Sequence, residues 1–197
     1  MGKDTESASL LLLEPILRDI AEGAVVPAGK GSWGMDMQKT FGDFVIVPKW
    51  YRKEGWSCPV ELKAEKKHTG NLFIENWSNK DKKKGWLHTS KCAILVYHFL
   101  DIDLAYFFPF EILRTYVLEN KDTFREVVQT KYNQENVTTG YLVPAETAVK
   151  ETSGTIFNQV TLGKIPKTIK KPFRAAYEKD MNAPFYTGIE TERHLTR

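Results

Sequence analysis

The chain has few features that would tie it to a membrane, to an export route or to zinc. Its 197 residues include only Cys58 and Cys92 as cysteines, too few for a disulfide scaffold, and no CxxC pair or cysteine–histidine cluster indicates zinc. The uninterrupted apolar stretch near the start, residues 10–13, is far too short for a signal-peptide core or a membrane span. We therefore expect a cytoplasmic protein in a reducing compartment, without a membrane partner.

Strong net charge is also missing. The 28 Lys and Arg against 25 Asp and Glu leave a formal charge of +3, which permits a polyanionic partner without requiring one. There is no internal repeat, heptad, P-loop, zinc finger or helix-turn-helix. Function must therefore be sought in a local group of side chains.

Two short apolar segments provide such a group. Residues 41–47 and 60–65 are rich in β-branched and aromatic side chains, and the segment between them contains two prolines and a glycine. This pattern predicts neighbouring strands joined by a loose hairpin. The first segment is apolar on both faces, as in a central strand, so Asp43 would lie at the mouth of a buried sheet.

The second strand carries two charges on one side. Glu61 and Lys63 are two residues apart and should share a face, while Leu62 packs on the other. Two acids and a lysine can then meet at one point. Carboxylate oxygens suit a hard divalent cation such as magnesium, which keeps several waters and uses one or two carboxylates plus substrate phosphate. A lysine beside it can contact the attacking water or the phosphate.

The remaining pattern predicts one α/β domain with a central mixed β-sheet flanked by helices. We expect an N-terminal helix from about residue 7 to 23, a third strand over residues 69–78, a strand pair over 94–100 and 104–108, a helix over 109–118, a short helix over 122–132 and an edge strand over 140–144. Residues 1–150 form this domain. Residues 151–197 are expected to be a basic C-terminal extension with an extended tail, because prolines interrupt it.

An aspartate at the start of one strand and Glu61-Leu62-Lys63 on the next resembles the PD-(D/E)XK nuclease superfamily. The Glu-X-Lys half matches, and Gly42 stands where the motif has proline. Residues 69–100 also resemble a branch found in phage and prophage genomes, and the likeness runs over about residues 41–117. It implies a restriction-endonuclease-like core that hydrolyses DNA with Mg²⁺ or Mn²⁺.

The resemblance also implies roles for these residues. Asp43, Glu61 and the backbone carbonyl of Leu62 would hold the metal, and Lys63 would orient or deprotonate the attacking water. Superfamily members often place an acid on the first helix near the metal, which indicates Glu14 or Glu22. Each of these two acids can equally be a solvent-facing helix residue.

Further candidates lie near the predicted strands. Glu75 on the third strand is either an additional acid near the metal or a strand-end acid paired with a lysine. Basic residues near the site are expected to contact phosphates, although lysine runs also occur in solvated loops. These are Lys66, Lys67, Lys82, Lys83, Lys84 and Lys91.

Two other functions stay open. The chain can be an inactive protein with a nuclease fold that binds nucleic acid or a host protein, or a nuclease that cuts RNA. Retention of Asp43, Glu61 and Lys63 disfavours the inactive protein, because buried charges are costly to keep without a role. By analogy with the superfamily we also expect a homodimer. If the chain is phage-encoded, its compartment is the host cytoplasm.

Overall fold

The structure is a computed structural model, and it describes residues 2–28, 42–47, 57–130, 137–158 and 170–181. The helices in these ranges are α1 (Gly2–Ala21), α2 (Trp86–Thr89), α3 (Phe110–Glu119), α4 (Ala145–Glu151) and α5 (Lys170–Met181), with a 3₁₀ turn at Lys121–Thr123. The strands are β1 (Ala24–Pro27), β2 (Phe44–Val47), β3 (Cys58–Glu65), β4 (Asn71–Asn79), β5 (Lys83–Lys84), β6 (Ile94–Phe99), β7 (Leu104–Pro109), β8 (Arg125–Thr130), β9 (Val137–Pro144) and β10 (Thr155–Asn158). The predicted mixed α/β class is confirmed.

Six strands form the main sheet, in the order β1-β2-β3-β6-β7-β10. β3 and β6 run parallel, and the other neighbours run antiparallel. β6 and β7 are buried at every position, as expected for apolar strands at the centre of a sheet covered on both faces. The predicted pairing of the first two segments is confirmed by the register of Phe44 opposite Val60. The loop of that hairpin, residues 48–56, lies outside the described residues.

A second sheet has the order β5-β4-β9-β8. The predicted third strand is present as β4, but it belongs to the second sheet. In the main sheet, β3 lies between β2 and β6. The helix predicted over residues 122–132 is wrong, because residues 125–130 form β8 along the edge of β9. An exposed edge strand carries little hydrophobic periodicity, so its pairing with β9 decides its conformation.

The two faces of the main sheet carry two cores. Alternation along β6 sends Ile94 and Val96 to one face, where α1 and α5 pack, and sends Leu95 and Tyr97 to the other. The second sheet, α3 and α4 cover that other face. The apolar side chains of β3 therefore face α1, and Glu61 and Lys63 face the side of the second sheet.

The described parts of residues 151–197 differ from the extended tail that we expected. β10 pairs with β7 at the edge of the main sheet, and α5 buries Phe173 against Phe107 with ring centres 6.4 Å apart. Pro172 lies in the first turn of α5, where its missing N–H does no harm. Residues 159–169 and 182–197 lie outside the described residues.

α1 begins earlier than predicted, at Gly2 rather than near residue 7, and it includes Pro15. Its buried positions recur at helical spacing and include Ser9, Leu13 and Leu17. Of the described helices, none is both long enough and apolar enough to cross a membrane.

Candidate active site

Asp43 is held at the start of β2 by backbone contacts with β3. Its N–H donates to the carbonyl of Val60 at 2.8 Å, and its side-chain Oδ2 accepts the N–H of Leu62 at 2.8 Å. The preceding Gly42 adopts φ +80°, and a Cβ there would lie 2.5 Å from the Val60 carbonyl oxygen. Proline is restricted to φ near −65°, so a proline cannot replace Gly42 in this backbone. The local backbone therefore accounts for glycine at this position.

Glu61 and Lys63 project from the same face of β3, as predicted. Lys63 Nζ lies 2.7 Å from Glu61 Oε1, while Leu62 between them is buried on the opposite face. The side chain of Lys63 is 25% exposed and that of Glu61 is 15% exposed, so both side chains are partly accessible to solvent. The structure thus brings Asp43, Glu61 and Lys63 to one place at the β2–β3 edge.

A further acid comes from α1. Glu6 Oε1 lies 3.4 Å from Lys63 Nζ. Three residues later, Ser9 makes a hydrogen bond of 2.8 Å with the fully buried His98 of β6, which fixes this part of α1 on the sheet. Sequence reasoning missed Glu6 because the predicted helix began after it. Its spacing of four and seven residues from Leu10 and Leu13 was the available signal.

The two acids proposed on the first helix lie elsewhere. Glu14 forms an i,i+4 ion pair with Arg18 at 2.7 Å on the solvent side of α1. Glu22 follows the end of α1 with φ +47°. Glu6, rather than Glu14 or Glu22, is therefore the α1 acid that contacts Lys63.

Glu75 reaches the same region from the second sheet. Its carboxylate accepts the backbone N–H of Trp86, and it lies in the electrostatic field of Lys63 and Glu61. Burial raises the pKa of Glu75, an effect that the Trp86 N–H and Lys63 partly oppose. The structure thus places Glu75 near the predicted group, as the strand periodicity suggested.

Two contacts hold β4 and α2 in this position. The Phe73 N–H donates to the Tyr97 hydroxyl at 3.0 Å, and that hydroxyl donates to the Glu65 carboxylate, which joins the two sheets. At Gly85, a Cβ would lie 2.4 Å from the backbone oxygen of Glu75. Only glycine permits α2 to approach β4 this closely.

The charges act strongly on one another. Burial, together with the charge of Glu61, raises the pKa of Asp43 from 3.8 to about 6, against the opposing effects of Lys63 and the Leu62 N–H. Burial alone would lower the pKa of Lys63, but Glu61, Glu6 and Asp43 outweigh it and raise that pKa. Lys63 is therefore a cation at neutral pH in this structure.

Whether these groups could hold a metal depends on their donor chemistry. Among the residues that the structure describes, no set of three or more His, Cys, Asp or Glu side chains is arranged to hold a metal ion. Magnesium does not require such a set, because one or two carboxylates with waters and phosphate suffice. Asp43 and Glu61 lie close enough for the charge of Glu61 to raise the pKa of Asp43, so a divalent cation would relieve their repulsion.

The backbone of Leu62 adds a third donor. Its N–H points to Asp43, and the N–H and C=O of one strand residue point to the same side, so its carbonyl faces the same region. These oxygen donors are of the type that binds Mg²⁺ or Mn²⁺.

The predicted phosphate-binding lysines lie on the surface. Lys66 and Lys67 directly follow β3, Lys82 precedes β5, Lys83 and Lys84 form it, and Lys91 follows α2; all six are exposed. Lys84 Nζ lies 3.8 Å from the centre of the Trp77 ring. The charge of Lys83 partly opposes the rise in the pKa of Glu75.

Comparison of the chain with protein-family models, with curated proteins and with solved structures finds no match. The likeness to the PD-(D/E)XK superfamily stays a prediction from the residues quoted above.

Proposed function

We propose that the chain is a metal-dependent nuclease of the PD-(D/E)XK type that hydrolyses phosphodiester bonds of DNA. The observation that supports this proposal best is the convergence of Asp43, Glu61 and Lys63 at one solvent-accessible point of the sheet. Carboxylate oxygens can bind a metal ion, and a lysine ammonium beside them can stabilise negative charge on a phosphate; metal-dependent phosphodiester hydrolysis uses both kinds of group.

In this proposal Asp43, Glu61 and the Leu62 carbonyl bind Mg²⁺ or Mn²⁺. The metal would supply Lewis acidity and a bound water of lowered pKa. Lys63 donates to the attacking water or to a phosphate oxygen and stabilises the negative charge that develops in the transition state. Glu6 contacts the ammonium of Lys63 and helps to fix its position. The exposed lysines contact the phosphate backbone on either side.

We also propose that the protein acts in the cytoplasm, where DNA is accessible. Its two cysteines form no disulfide, which is compatible with that reducing compartment. A nuclease that cuts both strands needs two sites, and by analogy we propose a homodimer for that reaction.

The test is a cleavage assay on supercoiled plasmid and on RNA, with Mg²⁺, Mn²⁺, Ca²⁺ or a chelator. We expect plasmid cleavage with Mg²⁺ or Mn²⁺ only. Glu61→Gln and Lys63→Met should each lower the rate by about 10²-fold or more, because each removes an interaction with the reacting groups. The matched controls Glu119→Gln and Lys150→Met change the same residue types at exposed positions on α3 and α4, and they should cut at the wild-type rate.

Several outcomes would contradict the proposal. Cleavage in the presence of chelator, or cleavage that survives in both Glu61→Gln and Lys63→Met, would exclude the assigned site. Binding of DNA without cleavage under every metal condition would favour the inactive nuclease-fold protein. Cleavage of RNA alone would assign the same chemistry to the other nucleic acid. Thermal unfolding of each variant shows that the fold is retained.

A further inference from the structure

Trp86 is a large aromatic side chain beside the candidate active site that the roles above leave unused. It is the first residue of α2 and is half-buried. Lys63 Nζ lies 6.0 Å from the centre of its ring, and the ring of Phe110 lies 5.8 Å away at an angle of 39°. Trp86 therefore contacts the apolar core and also borders the charged group.

The position of Trp86 is set by its backbone. The N–H of Trp86 donates to the Glu75 carboxylate, and its carbonyl accepts the N–H of Ser90 at 3.0 Å. The close approach at Gly85 holds the start of α2 against β4. An aromatic ring held in place this way loses little conformational entropy when a ligand packs on it.

Trp77 offers a useful contrast within the same region. A cation, the ammonium of Lys84, lies 3.8 Å from the centre of the Trp77 ring. Lys63 Nζ lies farther from the Trp86 ring, at 6.0 Å, and it is held by Glu61 and Glu6. A planar ligand therefore meets less competition at Trp86 than at Trp77.

We propose that Trp86 is a stacking platform for a nucleobase next to the phosphate that reacts at Lys63, and that the substrate is single-stranded or locally unpaired DNA. This inference rests on the proposed function. An indole stacks on any base, because every base has a π face, so the contact favours no particular sequence. In a duplex both faces of a base are covered by its neighbours, and a base must leave the stack before it can pack on Trp86.

The experiment measures the binding of fluorescein-labelled DNA oligonucleotides by anisotropy, with Ca²⁺ in place of Mg²⁺. Single strands, duplexes and single strands with one abasic nucleotide at successive positions are compared. We expect single strands to bind more tightly than duplexes. Trp86→Ala should weaken single-strand binding by about 10- to 100-fold, the loss that corresponds to one stacked base. Trp86→Phe should retain most of the affinity, and the matched control Trp77→Phe should bind like the wild type.

The abasic series isolates the stacking partner. At one position, an abasic nucleotide should weaken binding by the wild type as much as the Trp86→Ala substitution does. Trp86→Ala itself should bind this abasic oligonucleotide as tightly as it binds the intact one. If Trp86→Ala does not fold, Trp86→Leu, which keeps an apolar side chain but removes the aromatic ring, replaces it in the same comparison. If no abasic position weakens the wild type more than it weakens Trp86→Leu, the proposal fails.

Failure of this inference can be told apart from failure of the proposed function. Two results would refute only the role of Trp86 while the wild type still cuts DNA. In the first, Trp86→Ala binds single strands as tightly as the wild type; in the second, each abasic nucleotide weakens binding by Trp86→Ala by the same factor as binding by the wild type. If the wild type prefers duplexes, the proposed substrate class is refuted. If the wild type neither binds nor cuts any nucleic acid, the proposed function falls and this inference falls with it.

Discussion

Replacement of Asp43 by asparagine should stabilise the folded protein above neutral pH, although it changes a residue at the centre of the candidate site. Burial and the charge of Glu61 disfavour the ionised form of Asp43 and raise its pKa to about 6. Above that pH the folded protein contains a carboxylate in a costly environment. Asparagine is uncharged and of similar shape, and its side-chain oxygen can still accept the N–H of Leu62.

The magnitude follows from the two pKa values. The ordinary pKa of Asp43 is 3.8 and its pKa in the folded protein is about 6. At about 1.4 kcal/mol for each pKa unit, ionisation of Asp43 costs the folded state about 3 kcal/mol at pH 8. Because the pKa is raised on folding, the stabilisation by the protonated form is fully present below about pH 4 and is lost as the pH rises through about 6. The advantage of Asp43→Asn should therefore grow over this interval and stay constant above it.

The assay is urea unfolding of the wild type and Asp43→Asn at about pH 4 and at about pH 8. The exposed Glu119→Gln serves as a control, and its stability should follow that of the wild type at both pH values. A free energy of unfolding for Asp43→Asn that does not exceed the wild-type value at pH 8, or a difference that is equal at both pH values, would refute the reasoning. If the proposed function holds, cleavage by the wild type at subsaturating Mg²⁺ should rise as the pH passes through about 6, because Asp43 must lose its proton to bind a cation.

Two further predictions concern the frame of the site. Gly42→Ala should lower the free energy of unfolding more than Gly70→Ala does. Both glycines have positive φ, but only at Gly42 would the new Cβ clash, because it would lie 2.5 Å from the Val60 carbonyl oxygen. Equal losses of stability in urea unfolding would contradict this prediction. Ser9→Ala should lower the free energy of unfolding by about 1–2 kcal/mol. The buried His98 loses its hydrogen bond to Ser9, and the higher helix propensity of alanine offsets part of that loss. An unchanged urea midpoint would show that the contact does not contribute to stability.

Local periodicity was sufficient to predict the pair of strands that carries the candidate site. Two residues of separation place Glu61 and Lys63 on one face whatever else the chain does, and Leu62 is then directed to the other. The position of Asp43 beside them was predictable because consecutive strands joined by a short segment usually pair. The sequence did not reveal the backbone turn at Gly42, since a positive φ is a property of the pairing with Val60 as much as of glycine itself.

The elements that approach this pair from a distance could not be predicted in the same way. β4 has a clear strand pattern, but which sheet it joins depends on β9, some sixty residues later in the chain. α5 follows Pro166 and contains Pro172, and its helix is stabilised by burial of Phe173 against the main sheet.

The amino-acid sequence by itself determined that two acids and a lysine lie at adjacent strands, because the alternation of side chains is a local property of an extended backbone. Only the tertiary structure decided which other groups surround them. Glu6, Glu75 and Trp86 come from three different elements, and contacts far apart in the chain bring them to Lys63. The raised pKa values of Asp43 and Lys63 also depend on the tertiary structure. Burial raises the pKa of Asp43 and the nearby acids raise that of Lys63, and both conditions arise only when those elements pack together.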